Sequence, residues 1–185
     1  MSLLDLFIEA GNLKRLPRTG WLLAGVPNPE SVAEHGYRVA LITLFLADEL
    51  GENGIDVDVG RAVKIALLHD LAEARITDVP LTAQRYLNKA EAERKAAMEL
   101  FAGTSKPGEY FQLWREYEDG LSREGKLVRF ADKLEMLVQA LEYEKAGFRN
   151  LDDFWGTLEE LRESEFYGYF RDLVEELAAL RGGRR

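Results

Sequence analysis

The chain has 185 residues, of which 46% are hydrophobic and 31% are charged, and it contains no cysteine. This length fits one domain with a substantial core, and the lack of cysteine excludes disulfides, thiolate metal sites and cysteine nucleophiles. The net charge of −9 argues against a broad surface for nucleic acid or anionic membranes. No apolar run approaches the length of a bilayer span, and the N-terminal segment is a poor signal peptide, so we expect a cytoplasmic protein.

Helical periodicity dominates the chain and alternating strand patterns are missing, which predicts an all-α fold. We expect one domain over residues 1–185, with a basic tail at 181–185 that is frayed. A first helix spans the segment around Leu3 to Ile8, and an irregular loop follows from about 17 to 30. This loop carries Arg18 and Trp21, two residue types that loops often use for binding. Arg18 is otherwise a solvated arginine, and Trp21 otherwise fills the core beneath the loop.

The second predicted helix begins after Ser31 and runs to about Leu50. Ser31 and Glu34 form a capping-box pattern, in which each side chain accepts a hydrogen bond from the other residue's backbone amide. His35 lies four, seven and eleven residues before Val39, Ile42 and Leu46, so its side chain points inward. A buried histidine bonded to a backbone carbonyl is the simplest interpretation of that position taken alone.

The third predicted helix begins after Asp58 and includes the apolar sequence VGRAVKIALLHDLAE. His69 and Asp70 lie at its end, where both side chains can point towards one position beyond the last turn. A histidine at a helix C-terminus can simply interact with the helix dipole. The same dipole disfavours Asp70, so this carboxylate needs a positive partner, which a cation provides.

Further helices are predicted at roughly 82–103, 109–118, 123–146, 151–163 and 166–181, with Asp152 and Ser164 as caps of the last two. In the 123–146 helix, Asp132 directly follows Ala131 and lies at the edge of the buried stripe. It is either a salt-bridge partner or a site residue. Together, His35, His69, Asp70 and Asp132 bring two imidazoles and two carboxylates from three helices. This mixed nitrogen and oxygen set is typical of a divalent transition metal with open positions for water and substrate.

The pattern of a histidine, an adjacent His-Asp pair and a distant aspartate resembles the HD-domain metal-dependent phosphohydrolases. The sequences LKRLPRTGW, NPESVAEH and HDLAEARITDVP extend the similarity to the 5′-deoxynucleotidase branch of that superfamily. The resemblance covers most of the chain, from Leu13 to about Val138. It departs from the family at Thr77, where a glycine is expected before the aspartate.

The resemblance implies a helical bundle of the HD-domain type with metal ligands His35, His69, Asp70 and Asp132. The expected ion is Co²⁺ or Mn²⁺, with Zn²⁺, Ni²⁺, Fe²⁺ and Mg²⁺ as alternatives. Glu73 and Asp78 are implied near the attacking water and the phosphate, Arg18 at the phosphate, and Trp21 beside the sugar. The implied homodimer would remove the 5′-phosphate from deoxyribonucleoside 5′-monophosphates.

Other functions remain open at the level of the sequence. Another HD-type hydrolase would act on a cyclic nucleotide, a triphosphate or an alarmone, although a triphosphate site favours more basic residues than this chain places there. A non-catalytic metal- or nucleotide-binding helical module would need neither Glu73 nor Asp78. From the residues alone, Glu73 is equally an exposed turn carboxylate paired with Arg75, and Asp78 a turn or cap residue.

Overall fold

The computed structural model describes residues 1–183, which form twelve α-helices and one 3₁₀ turn at Gly11–Lys14. In chain order the helices are α1 Leu3–Ala10, α2 Thr19–Leu23, α3 Val32–Glu52, α4 Val59–Leu68, α5 Glu73–Ile76, α6 Leu81–Gln84, α7 Lys89–Phe101, α8 Pro107–Asp119, α9 Arg123–Lys145, α10 Asp152–Trp155, α11 Thr157–Arg162 and α12 Tyr167–Gly182.

The all-α prediction is confirmed, since the described part of the chain contains no β-strand. Its β-type pairing is an isolated antiparallel bridge between Pro17 and Ser31, which ties the loop before α2 to the start of α3. Within residues 1–183, no helix is both long and apolar enough to cross a membrane.

Helix α9 is the central element of the bundle. It contacts α3, α4, α8, α10, α11 and α12, and most of its inward side chains are fully buried. Leu127, Ala131 and Leu137 on α9 pack in one core cluster with Ile65 of α4. Truncating a buried side chain such as Ile65 to alanine costs about 2–5 kcal/mol, so this core fixes the separations of α3, α4 and α9.

The capping box predicted at Ser31 is present and starts α3 at the expected residue. The Ser31 hydroxyl accepts from the Glu34 amide, and the Glu34 carboxylate accepts from the Ser31 amide. These bonds satisfy amides that the first turn would otherwise leave without partners. His35 follows in that same turn, so the cap also sets its position.

A close contact between α8 and α9 depends on Gly125. A side-chain carbon there would collide with the backbone carbonyl of Glu116 on α8. This glycine therefore lets the two helices approach near Tyr117, a residue that contacts the site described below.

Several predicted bounds differ from the structure, beginning with the 17–30 loop, which contains the short helix α2. The 82–103 segment is interrupted between α6 and α7, because the Asn88 side chain accepts from the Glu91 amide and starts a new helix. The 151–163 segment divides into α10 and α11, and neither Asp152 nor Ser164 is the N-cap of a helix. The third helix ends at Leu68, so His69 and Asp70 lie just beyond it.

At the C-terminus, α12 continues through Arg181 and Gly182 rather than fraying at 181. The Arg181 guanidinium lies over the Trp155 ring, 4.6 Å from its centroid. Residues 184–185 of the basic tail lie outside the described part of the chain. The extent of the domain over 1–185 stays a prediction.

Candidate metal centre and its cleft

Four side chains from three regions of the bundle meet near its centre. His35 comes from the first turn of α3, His69 and Asp70 directly follow α4, and Asp132 lies in the middle of α9. One ligand atom each from His35, His69 and Asp70 lie within 4.8 Å of one another. The structure thus brings together residues that are far apart in the chain.

The individual distances describe a compact group. Asp70 Oδ2 lies 3.2 Å from His69 Nε2 and 3.7 Å from His35 Nε2. Asp132 Oδ1 lies 3.1 Å from the same His35 nitrogen. The other Asp132 oxygen accepts a hydrogen bond from the Tyr117 hydroxyl at 2.7 Å, so Tyr117 on α8 orients this carboxylate.

In both imidazole rings Nδ1 has a hydrogen-bond partner. His69 Nδ1 lies 2.6 Å from the Ala66 carbonyl, a bond available because His69 terminates α4. His35 Nδ1 lies 2.5 Å from Glu135 Oε2 rather than near a backbone carbonyl. With these partners Nδ1 is the donor in each ring, which leaves Nε2 as the acceptor that can bind a metal ion.

The site fits a divalent cation. His35 Nε2, His69 Nε2, Asp70 Oδ2 and Glu73 Oε2 are buried and have no hydrogen-bond partner among the described residues. Buried polar atoms normally find a partner, so this group of orphaned acceptors requires an explanation, which a shared ion provides.

The electrostatics favour positive charge at the same point. Burial works against the imidazolium form of His35, yet Asp132 and Glu135 outweigh it and raise the pKa of His35 to about 10. Burial likewise opposes ionisation of Asp132, but the adjacent His35 lowers the pKa of that carboxyl to about 2. A metal ion would supply this positive charge while leaving the imidazoles neutral.

Glu73 lies close to the ligand group but has a different environment. Hydrogen bonds of the i→i+3 type run from Leu68 to Arg75, and Glu73 N donates to Asp70 O at 3.0 Å. Residues three apart eclipse in such turns, so Asp70 and Glu73 lie on the same side. Glu73 is only 2% exposed, and burial, then the charges of Asp70 and Asp78, raise its pKa to about 10.

The suggested ion pair between Glu73 and Arg75 is absent among the described residues. Arg75 instead pairs with Glu9 at 2.9 Å and with Glu99 at 2.6 Å. The cation nearest to Glu73 is Lys89 of α7, whose Nζ lies 3.9 Å from Glu73 Oε1 and 2.7 Å from Glu93. Lys89 was not predicted as a site residue, because nothing in the sequence around it indicates that it lies beside Glu73 in the fold.

Asp78 connects two segments at the rim of the site. Its carboxylate accepts from the Thr19 amide at 2.6 Å, and its carbonyl accepts from the Thr19 hydroxyl at 2.8 Å. These two bonds fix the start of α2, next to Arg18. The preceding residue, Thr77, has φ +68° and ψ 170°, a region that is almost confined to glycine.

Arg18 is mostly buried and directed towards the ligands. Its Nη1 lies 3.5 Å from Asp70 Oδ2, and 19% of its side chain is exposed. It is therefore not the freely solvated loop arginine that was the alternative.

Trp21 is mainly a core residue, as the alternative interpretation expected. It is 2% exposed, donates from Nε1 to Glu30 at 3.0 Å, and stacks on Phe154 with ring centroids 4.0 Å apart. It still borders the cleft, together with Phe154. Its contact with a sugar stays a prediction.

A cleft of about 650 Å³ opens above these side chains. Its lining includes Arg18 and Trp21, the acids Asp70, Glu73, Asp78 and Asp132, and Tyr117, Lys89 and Phe154. This size is in the range of small-molecule sites, which is about 300–1,000 Å³. The sequence-predicted residues other than the two histidines thus share one cavity, and His35 and His69 lie directly behind it.

Comparisons with known proteins identify the group to which this architecture belongs. A family model described as HD domain matches residues 10–169. The 5′-deoxynucleotidase HDDC2 of Danio rerio is 37% identical over 96% of this chain and 88% of its own length. The Dictyostelium discoideum protein of the same name is 41% identical over 77% of both chains.

A solved structure gives a similar result. A conserved hypothetical protein from Pyrococcus furiosus superposes with a TM-score of 0.88 and 54% sequence identity, over 95% of this chain and 99% of that one. Together these matches cover nearly the whole chain. The chain belongs to the HD-domain family, within the branch whose curated members are named 5′-deoxynucleotidases.

Proposed function

We propose that this protein is a metal-dependent 5′-deoxynucleotidase, which hydrolyses deoxyribonucleoside 5′-monophosphates to a deoxynucleoside and phosphate. The observation that carries the proposal is the group of unpartnered acceptor atoms from His35, His69 and Asp70 beneath a cleft of ligand size. The names of the curated relatives identify the substrate class.

His35, His69, Asp70 and Asp132 would hold one divalent ion through two nitrogen and two carboxylate ligands. When bound, such an ion offsets the negative charge of a phosphate monoester and lowers the pKa of a bound water molecule towards neutral pH. The imidazole ligands favour a transition metal over a dedicated Ca²⁺ site, and we propose Co²⁺ or Mn²⁺ as the working ion.

Arg18 would bind the phosphate. Its guanidinium lies 3.5 Å from Asp70, at the edge where the cleft meets the ligands. A planar guanidinium can donate two parallel hydrogen bonds to phosphate oxygens, which fixes orientation as well as charge. The two bonds between Thr19 and Asp78 hold the backbone next to Arg18, so this geometry would be set before substrate binds.

Glu73 is the better placed of the two acids to accept the proton of the attacking water, once a bound cation offsets the burial and the neighbouring carboxylates that raise its pKa. It is on the same side as Asp70, and its Oε2 has no partner among the described residues. Asp78 is hydrogen-bonded to Thr19, so we propose that it also positions the backbone beside Arg18. We propose that either Glu73 or Asp78 transfers a proton to the leaving 5′-oxygen.

Preference for deoxyribose would come from the apolar rim of the cleft. Trp21 and Phe154 stack there, and neither ring offers an acceptor for a ribose 2′-hydroxyl. An apolar wall rejects an added hydroxyl by about 10²-fold, so we expect a preference for deoxynucleotides rather than an absolute requirement.

The test is phosphate release from dAMP, dTMP and AMP by metal-stripped protein, with Co²⁺, Mn²⁺, Zn²⁺ or Mg²⁺ restored in turn. We expect metal-dependent release from the deoxy compounds and much slower release from AMP. The His69→Ala variant is the matched control, since it keeps the cleft but loses a ligand. Release from cyclic nucleotides or triphosphates instead would reassign the substrate class, and binding without turnover would indicate a non-catalytic module.

We also propose a homodimer in the cytoplasm. The exposed face of α1 carries Leu4, Phe7 and Ile8, each more than 60% exposed, and a second copy of the chain could cover this apolar face. Light scattering on a size-exclusion column would measure the mass in solution, and a monomer at micromolar concentration would contradict the dimer. Cell fractionation would test the location.

A further inference from the structure

A buried carboxylate lies behind His35, on the side facing away from the cleft. Glu135 has no exposed surface and follows Asp132 by one turn of α9. Its Oε2 lies 2.5 Å from His35 Nδ1. The same helix therefore provides one carboxylate in front of the imidazole and one behind it.

Arg38 occupies the other oxygen of Glu135. It donates from Nε to Glu135 Oε1 at 2.8 Å, and lies one turn after His35 on α3. Gln139 and Glu142 of α9 accept from the same guanidinium, at 2.5 and 2.8 Å. Neither the carboxylate nor the guanidinium is free to rotate, so the His35 ring is held by a fixed partner.

The two histidines differ in this respect. His69 Nδ1 is bonded to the Ala66 carbonyl, a neutral acceptor supplied by the turn that precedes it. His35 Nδ1 is bonded to a carboxylate, which carries a full charge and comes from another helix. A carboxylate behind a ligating imidazole fixes its tautomer and ring plane and makes its other nitrogen a stronger donor to a metal ion.

We propose that Glu135 is a positioning residue that holds the His35 ring with Nε2 towards the metal and strengthens this nitrogen as a ligand. The inference rests on the proposed function only in requiring that His35 binds the ion. It adds a residue outside the ligand set, and it predicts that removing Glu135 weakens metal binding even though the four ligands remain.

An ion bound behind His35 is the competing interpretation. Ligand atoms of Glu30, His35 and Glu135 also lie close enough to hold a cation. The Arg38 guanidinium already neutralises Glu135 there, and Trp21 Nε1 donates to Glu30. A second positive charge would be repelled by Arg38, so this group is better described as a support for His35.

The experiment measures the metal affinity of Glu135→Gln and Glu135→Ala, by calorimetric titration with Mn²⁺ and by the visible absorption of the Co²⁺-loaded protein. We expect a loss of metal affinity of about 10-fold for the glutamine variant, which keeps one of the two acceptor oxygens and loses the charge, and of about 100-fold for alanine. The Co²⁺ spectrum should change in both, since the orientation and basicity of His35 change. Thermal unfolding of the metal-free variants separates these effects from loss of fold.

Glu116→Gln is the matched control, because Glu116 is also a buried glutamate bonded to an arginine, Arg61, but does not contact a ligand. It should lower stability without changing metal affinity or the Co²⁺ spectrum. Wild-type affinity and spectrum in folded Glu135→Gln would overturn the role of Glu135. His35→Ala with unchanged metal affinity would instead overturn the ligand assignment itself, so the two failures are distinguishable.

Discussion

The two walls of the candidate metal centre are built in different ways. The helix wall, formed by His35 and Asp132, lies on α3 and α9, which are 21 and 23 residues long and are capped by serine side chains. The turn wall, residues 69–80, consists of successive tight turns and the four-residue helix α5, and includes the strained Thr77. The helix wall is held mainly by the packed core, and the turn wall is held by hydrogen bonds, both within its own turns and from Thr19 to Asp78.

From this difference in construction we expect the two walls to have different functions. Side chains on long buried helices are held rigidly, which suits metal ligands and their supporting groups. Irregular segments can place several polar groups close together, and binding and catalytic residues are disproportionately found on them. The turn wall contributes Glu73 and Asp78 in addition to its two ligands. We expect substitutions in the helix wall to affect metal binding first, and those beyond Asp70 to affect turnover.

The largest expected effect is loss of a ligand from either wall. Asp132→Asn and His69→Ala should each abolish both bound metal and phosphate release, because the remaining ligands cannot compensate for a lost charge or nitrogen. Metal content by mass spectrometry and phosphate release would be measured together. Lys133→Ala is the control next to Asp132, since its side chain pairs with Glu160 on the surface. Full activity in Asp132→Asn would show that this residue of the helix wall is not a required metal ligand.

Glu73→Gln should separate the two functions within the turn wall. We expect wild-type metal content with kcat lowered by about 10²–10⁴-fold, the range for removal of a general acid or base. Glu93→Gln is the control, because Glu93 also pairs with Lys89 but does not line the cleft. Retained turnover in Glu73→Gln would remove this carboxyl from the mechanism.

Thr19→Val should have a moderate effect through Asp78. It removes the hydroxyl bond to the Asp78 carbonyl and leaves the amide bond to the carboxylate. One neutral hydrogen bond contributes about 1 kcal/mol, which is about fivefold if it acts on kcat/KM. Steady-state kinetics with dAMP should show this loss at unchanged metal affinity. An equal loss of metal affinity would mean that the two walls are not independent.

Thr77→Gly should give the smallest change, and it should be stabilising. The backbone conformation at Thr77 costs about 1–3 kcal/mol for a residue with a side chain. Glycine avoids this strain but loses more conformational entropy on folding, which offsets about 1 kcal/mol of the gain. We expect the melting temperature to rise by about 2–4 °C. Asn150→Gly is the control, since Asn150 also has a positive φ, of 65°, but asparagine tolerates it better. A lower melting temperature would show that Thr77 makes compensating contacts.

The helix wall was largely predictable from the sequence. The Ser31–Glu34 pattern located the start of α3, and helical spacing directed His35 inward. For Asp132, the position beside a buried stripe gave only a choice between a salt bridge and a site. These features depend on residues within a few turns of each other, which is the range that periodicity describes.

The remaining parts depend on contacts that no local pattern encodes. Glu135 contacts His35 across 100 residues, and Asp78 contacts Thr19 across 59. The break before α7 was missed because its signal is a single asparagine cap at Asn88 rather than a glycine or proline. The departure at Thr77 was visible in the sequence, but its backbone strain required the structure.

The most direct test of the central claim is an anomalous difference map from a crystal of the protein loaded with Mn²⁺. We expect one peak, coordinated by His35 Nε2, His69 Nε2, Asp70 and Asp132, at the base of the cleft. A peak among Glu30, His35 and Glu135, or a fully loaded crystal with no peak near His69, would contradict the ligand set proposed for this protein.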